Sequence, residues 1–160
     1  MIISSKFRIH NNNPLYFLHQ LCDISGIIYN HCIALHKRYY SLYNKHLNKF
    51  VLQKHLTKLK KLDKFSHFKL LGSQAIQQIT ERIDNAYKKF FDYKKGKTSI
   101  KSGTPTFKKI KYYSSFTLKG KVGYKLKSIK ENKSIIRIGK KEYRFKNIEI
   151  SMKIKSKQLL

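Results

Sequence analysis

The chain has 160 residues, with 36 Lys and Arg against eight Asp and Glu and a formal net charge of +28 at pH 7. It is 41% hydrophobic, with eleven Tyr and ten Phe, and so holds enough apolar surface for a core, which excludes a disordered basic tail. Its two cysteines, Cys22 and Cys32, make no disulfide framework, and no apolar run approaches the roughly 18 residues of a membrane span.

The charge rises along the chain. Residues 1–50 hold six basic and one acidic side chain, residues 51–105 thirteen and four, and residues 106–160 seventeen and three. A solubilising surface would mix both signs. A compact domain of one sign gains most from a polyanionic partner, and nucleic acid is the commonest. Reduced cysteines and the lack of a continuous apolar leader in MIISSKFRIHNNNP point to a cytoplasmic location.

In chain order, Lys6-Phe7-Arg8-Ile9-His10 alternates as a short strand, with Phe7 and Ile9 on one face. Asn13 is placed to cap a helix that begins at Pro14. Leu18, Leu21, Ile28, Cys32, Leu35, Tyr39 and Leu42, with Ser25 in the one gap, carry an amphipathic stripe to about Lys45, and Tyr39 reads as core. A second helix, from about Val51 to Lys61, places Leu52, His55, Leu56 and Leu59 on one side. Gly72-Ser73 opens a third, to about Tyr93, with Ile76, Ile79, Ile83, Ala86 and Phe90 on its stripe. Three such helices make a small bundle.

Beyond KKGKTSIKSGT the period changes from 3.6 to 2. The pairs Phe116 and Leu118, Tyr124 and Leu126, Ile136 and Ile138, and Tyr143 and Phe145 alternate, as does the run Ile148, Ile150, Met152 and Ile154. The fold class is therefore α+β: a small antiparallel sheet or barrel with an inserted helical bundle. Residues 1–13 and 105–160 form the β domain, 14–95 the helical insertion and 96–104 a linker, and the N-terminal strand joins the sheet.

The side chains point away from catalysis and metal binding. Cys22, His31, Cys32 and His36 lack the second short-spaced pair that structural zinc favours, and cysteines near an apolar stripe behave as small hydrophobes. The carboxylates are scattered, and Glu81 and Asp84 read as ordinary surface partners of Arg82 and nearby lysines. No acid–base pair or phosphate loop appears, so neither enzyme activity nor a cofactor is expected, nor is a small-molecule substrate.

Nucleic-acid contacts are better supplied. Ser73, Gln77 and Lys88 share a polar flank of the third helix, with Gln74 further round; short amides and hydroxyls reach base edges, while lysine meets phosphate. Aromatics interleave with cations at Lys37-Arg38-Tyr39-Tyr40, Phe107-Lys108-Lys109 and Lys111-Tyr112-Tyr113, where rings can stack on bases while charge tracks the backbone.

The order of motifs resembles a family. A strand with Phe-Arg-Ile precedes a helix with Tyr29-Asn30 and a downstream Lys-Arg-Tyr-Tyr. Then come GSQAIQQITERIDNAYKKFF, Pro-Thr-Phe-Lys-Lys, Ser-Phe-Thr-Leu and short strands. This order is similar to the N-terminal part of OrfB/TnpB-type transposon proteins, bacterial or archaeal. The resemblance implies a wedge-like β part interrupted by a helical recognition region, which together hold a transposon-derived guide RNA and read a motif beside target DNA. It implies that Ser73, Gln77 and Thr117 lie near that DNA and that Lys108 and Lys109 lie on nucleic-acid backbone. Lys37, Arg38 and Tyr40 belong to the same set of candidates, as do Gln74 and Lys88. Family members continue into a RuvC-like nuclease and a zinc ribbon, which this sequence does not contain, so the expectation is a nucleic-acid-binding half without cleavage activity, truncated in origin. The alternatives are a stand-alone helix-turn-helix DNA-binding protein or repressor, and a non-functional transposon remnant.

Overall fold

The computed structural model describes residues 8–9, 15–118, 124–129 and 133–146. The chain divides into two compact units, one of residues 16–119 and one of residues 1–15 with 120–160.

The helical unit begins with α1, Tyr16–Tyr43. Its buried stripe is Leu21, Ser25, Ile28 and Cys32, widened by Ile24, Tyr29, Ile33 and His36. Ser25 is tolerated there because its hydroxyl donates to the Leu21 carbonyl at 2.7 Å, which satisfies the buried group locally. The helix stops at Asn44, whose φ of 50° lies in the left-handed region that asparagine tolerates better than most residues. Asn48 then caps α2, Lys49–Leu59, its side-chain oxygen accepting from the Val51 amide. Leu52 and Leu56 are the fully buried positions of α2, with His55 and Leu59 only half-buried.

A 3₁₀ helix, Asp63–Leu71, follows and inserts Phe68 and Leu71 into the core. The spacing of the sequence does not announce it, because two buried anchors three positions apart make too short a pattern to mark a helix. Gly72, at φ 77°, turns the chain into α3, Ser73–Lys94. Ala75, Ile76, Ile79, Thr80, Ile83, Asp84 and Tyr87 form its buried face, against α1 and α2.

Several expectations shift. Tyr39 is half-buried and tilts against Tyr43 rather than sitting in the core, and Leu42 is 67% exposed. The core-facing stripe of α1 ends at His36, and Tyr40, Ser41, Leu42 and Tyr43 of its last turn are exposed. Asp84 belongs to the interior, at 1% exposure, instead of to a surface pair. Residues 113–118 form no strand, so the alternation at Phe116 and Leu118 is not a β signal. The stretch before it, including a 3₁₀ turn at Ile110–Tyr112, lies against α1 and belongs to the helical unit. The boundary between the two compact units falls at 119–120.

The second unit contains an antiparallel meander, β1 Lys125–Ile129, β2 Lys133–Ile138 and β3 Lys141–Lys146, in spatial order β1-β2-β3. Ile136 stands opposite Leu126 on one side and Tyr143 on the other, and Ser134 opposite Phe145. Gly139, at φ 61°, supplies the tight β2–β3 hairpin. Ile9 makes an isolated antiparallel bridge to Phe145. Among the described residues the sheet is open rather than a closed barrel. The Asn13–Pro14 cap and the run from Ile148 to Ile154 lie outside the described residues.

Candidate nucleic-acid interface

The segment around Phe107–Tyr113 is held on α1 by two devices. Asn30 donates its side-chain amide to the Lys108 carbonyl at 2.8 Å and accepts from the Lys108 amide at 2.9 Å. One side chain thereby satisfies both backbone groups of an extended residue that has no strand partner. One turn earlier, Gly26 lets the segment come close: a Cβ there would stand 3.1 Å from the Tyr113 Cβ and 3.2 Å from its Cγ. Tyr113 packs into the resulting gap, buried, with its ring 5.7 Å from that of Tyr29.

This docking gathers two cations over the same two rings. The Arg82 guanidinium, from α3, lies 5.3 Å from the Tyr113 ring and 5.9 Å from the Tyr29 ring, and donates to the Tyr113 hydroxyl. The Lys108 ammonium lies 5.4 Å from Tyr29 and 5.9 Å from Tyr113. Burial raises the phenol pKa of Tyr29 and of Tyr113, against the opposing pull of Arg82, so both rings stay neutral at physiological pH. Among the described residues neither cation has a carboxylate ion-pair partner. Ring faces orient the charges without cancelling them. Arg82 spends one donor on Tyr113 and keeps others in the planar fork that matches a phosphate.

Two neighbours extend the cationic surface. Lys37 lies 4.8 Å over the Phe107 ring and Lys111 lies 5.0 Å over Tyr112. On the other side of Arg82, the exposed face of α3 forms a groove of about 390 Å³, lined by Gln78, Glu81, Arg82, Asn85, Ala86 and Lys89. Glu81 is engaged there by Gln78 at 2.8 Å and Lys49 at 3.6 Å.

The candidates from sequence separate accordingly. Lys37, Lys108 and the exposed Lys109 belong to the seam between α1 and the docked segment. Arg38 is exposed on α1. Tyr40, 43% exposed, tilts against Phe91 instead. Ser73 and Gln77 are exposed, about 180° and about 140° round α3 from Arg82, and Gln74 is half-buried at about 80°. Lys88 is exposed, but its ammonium lies 2.8 Å from Oδ2 of the buried Asp84, one turn earlier on the same helix, and is engaged there. Thr117 is exposed, in the irregular stretch.

Tyr29, Asn30, Arg82 and Tyr113 are the residues that sequence reasoning missed as a set. Gln78, Arg82, Asn85 and Lys89 recur at helical spacing, a signal for the polar face that was available. The Asn30–Lys108 pairing had no such signal, because 78 positions separate the partners.

A second polar cluster lies between α1, α2 and α3. His36 Nε2 is 2.8 Å from His46 Nδ1, His46 Nε2 is 3.0 Å from Asp84 Oδ1, and Lys88 closes the row. Burial, and then the neighbouring His46, lower the His36 pKa to about 4, with Asp84 pulling the other way. Burial would raise the Asp84 pKa, but the bonds and charges of Lys88 and His46 outweigh it, and the carboxyl sits below its ordinary range. His31 and His55 stack with their Nε2 atoms 3.0 Å apart. Among the described residues no group of three or more His, Cys, Asp or Glu is arranged to hold a metal ion. Cys32 is buried, its thiol pushed up to about 12 by desolvation. Among the described residues no helix is long and apolar enough to cross a membrane.

No protein-family model matches this chain, and no match is found among curated proteins.

Proposed function

We propose that this chain binds nucleic acid, holding backbone phosphates at the seam where α1, α3 and residues 107–113 meet. The carrying observation is that Arg82 and Lys108 converge on the same two neutral tyrosine rings with no described carboxylate between them. Like charges brought together in a chain of net charge +28 ask for an anion, and a polyphosphate backbone supplies a row of them. The resemblance to the N-terminal part of OrfB/TnpB-type proteins narrows the proposed partners to a guide RNA and target DNA, in a bacterial or archaeal cytoplasm. Two of its motifs, Tyr29-Asn30 and the Lys108 of Pro-Thr-Phe-Lys-Lys, are direct neighbours through the Asn30 bonds, which supports treating them as one functional unit. In this reading the chain holds nucleic acid and does not itself cut it.

The stand-alone helix-turn-helix reading is weaker. That motif joins its two helices by a turn of about three or four residues, whereas α2 and α3 are separated by a nine-residue 3₁₀ helix.

Fluorescence anisotropy with a labelled duplex DNA and a hairpin RNA tests the proposal. The double variant Arg82→Gln/Lys108→Gln should bind at least about tenfold more weakly than the parent, as loss of two charge-assisted contacts predicts. Lys61→Gln/Lys97→Gln removes the same charge from exposed positions outside the seam and should cost much less. Equal losses would contradict a role for the seam.

A further inference from the structure

A cleft of about 360 Å³ opens between the end of α1 and the end of α3, lined by His36, Lys37, Tyr40, Tyr87, Phe90 and Phe91 among others. The polar row beneath it constrains the hydrogen positions on His36. Asp84 is ionised, held so by Lys88, and can only accept; His46 Nε2 therefore donates to it. In the tautomer in which His46 Nδ1 accepts, His36 Nε2, 2.8 Å away, is the donor. That leaves His36 Nδ1 as a bare lone pair. It is buried and has no partner, on a ring that is 1% exposed and whose face is stacked 3.6 Å from Tyr87. An acceptor so placed is costly unless a donor meets it.

Resting on the nucleic-acid reading above, we infer that this cleft receives an unstacked nucleobase of the bound strand, with His36 Nδ1 accepting a hydrogen bond from an N–H of the base. Aromatic walls suit a flat heterocycle, since ring-on-base stacking tolerates any sequence. Lys37 links the cleft to the phosphate surface, because it lines the cleft while its ammonium lies over Phe107 in the docked segment. A strand whose phosphates follow Lys37 and Lys108 therefore passes the mouth of the cleft.

The test uses the full chain and single strands of equal length: oligoadenylate, an abasic strand, and a strand of purine nucleosides, whose bases carry no N–H. The parent should bind oligoadenylate about tenfold or more tightly than the abasic strand, and more tightly than the purine strand. Phe90→Ala/Phe91→Ala changes two cleft residues that are only half-buried. It should abolish most of the preference for bases while leaving abasic affinity unchanged. If that variant keeps the full preference, the cleft is not the base site. Equal binding of purine and adenine strands by the parent would remove the His36 contact. Failure of the parent to bind even the abasic strand at low salt would overturn the phosphate reading, and the cleft proposal with it.

Discussion

Asn30 binds both backbone polar groups of Lys108, 78 residues downstream, and this pair of bonds fixes the docked segment on the first helix. Both bonds are exposed, so their net contribution is at the lower end of the usual range. Asn30→Ala should lower unfolding free energy by about 1 kcal/mol. It should also weaken nucleic-acid binding, because Lys108 loses its fixed position over Tyr29. Asn30→Asp keeps the acceptor, loses the donor and sets a carboxylate beside the seam, so it should weaken binding further than alanine does. Urea titration and anisotropy on the same three proteins check this order.

Gly26 makes the close approach of Tyr113 possible. Within a helix, glycine is about 1 kcal/mol worse than alanine or leucine, so a larger residue would favour the isolated helix. Gly26→Leu should nevertheless expel the segment, because its Cβ alone would meet Tyr113 at 3.1 Å. The expected signature is unchanged helical circular dichroism together with rapid proteolysis within residues 105–118. Protection equal to the parent's would show that Tyr113 can yield.

The two lysines that sequence reasoning treated alike should behave differently. Lys88→Ala leaves Asp84 Oδ2 without its ammonium partner and should lower stability with little change in the salt slope of binding. Lys108→Ala should leave stability nearly unchanged and flatten that slope by about one unit, as loss of a phosphate contact does. Chemical denaturation and salt titration on both variants separate the roles.

Acid should destabilise the helical unit before the carboxylates titrate. Above pH 6.5 His36 is neutral folded and unfolded, and adds nothing to pH dependence. Between 6.5 and about 4 the unfolded chain takes up a proton that the buried ring refuses, so stability falls as pH falls. The lowered values of His31 and His55 act in the same direction. Asp84, also lowered, adds its loss as pH falls through its folded value, below the ordinary 3.8. The thermal midpoint should drop steadily from pH 6.5 to 4, and His36→Phe, which keeps a ring against Tyr87, should drop less over that window. Parallel profiles would remove His36 from the account.

The helices were legible because periodic burial leaves a periodic trace: the Leu52 and Leu56 pair and the Ile76, Ile79 and Ile83 stripe sit where spacing put them. The strand pairs at Ile136, Ile138, Tyr143 and Phe145 were legible for the same reason. What escaped were features made by contacts distant in sequence. Asp84 reads as polar surface until His46 and Lys88 are seen to enclose it. Phe116 and Leu118 alternate, yet their neighbourhood is organised by an asparagine on α1 instead of a strand. The site itself was half legible, since Lys37 and Lys108 stood out by composition whereas Arg82 and Tyr113 acquire meaning only from their shared rings.

The most direct measurement is the salt dependence of binding by the parent chain and by Arg82→Ala/Lys108→Ala. With six or more phosphates neutralised, affinity for duplex DNA or structured RNA should fall by about three decades from 50 to 200 mM salt, and the double variant should lose about two units of slope. A parent affinity that barely changes over that range, or a double variant with the parent's slope, would contradict phosphate binding at this seam.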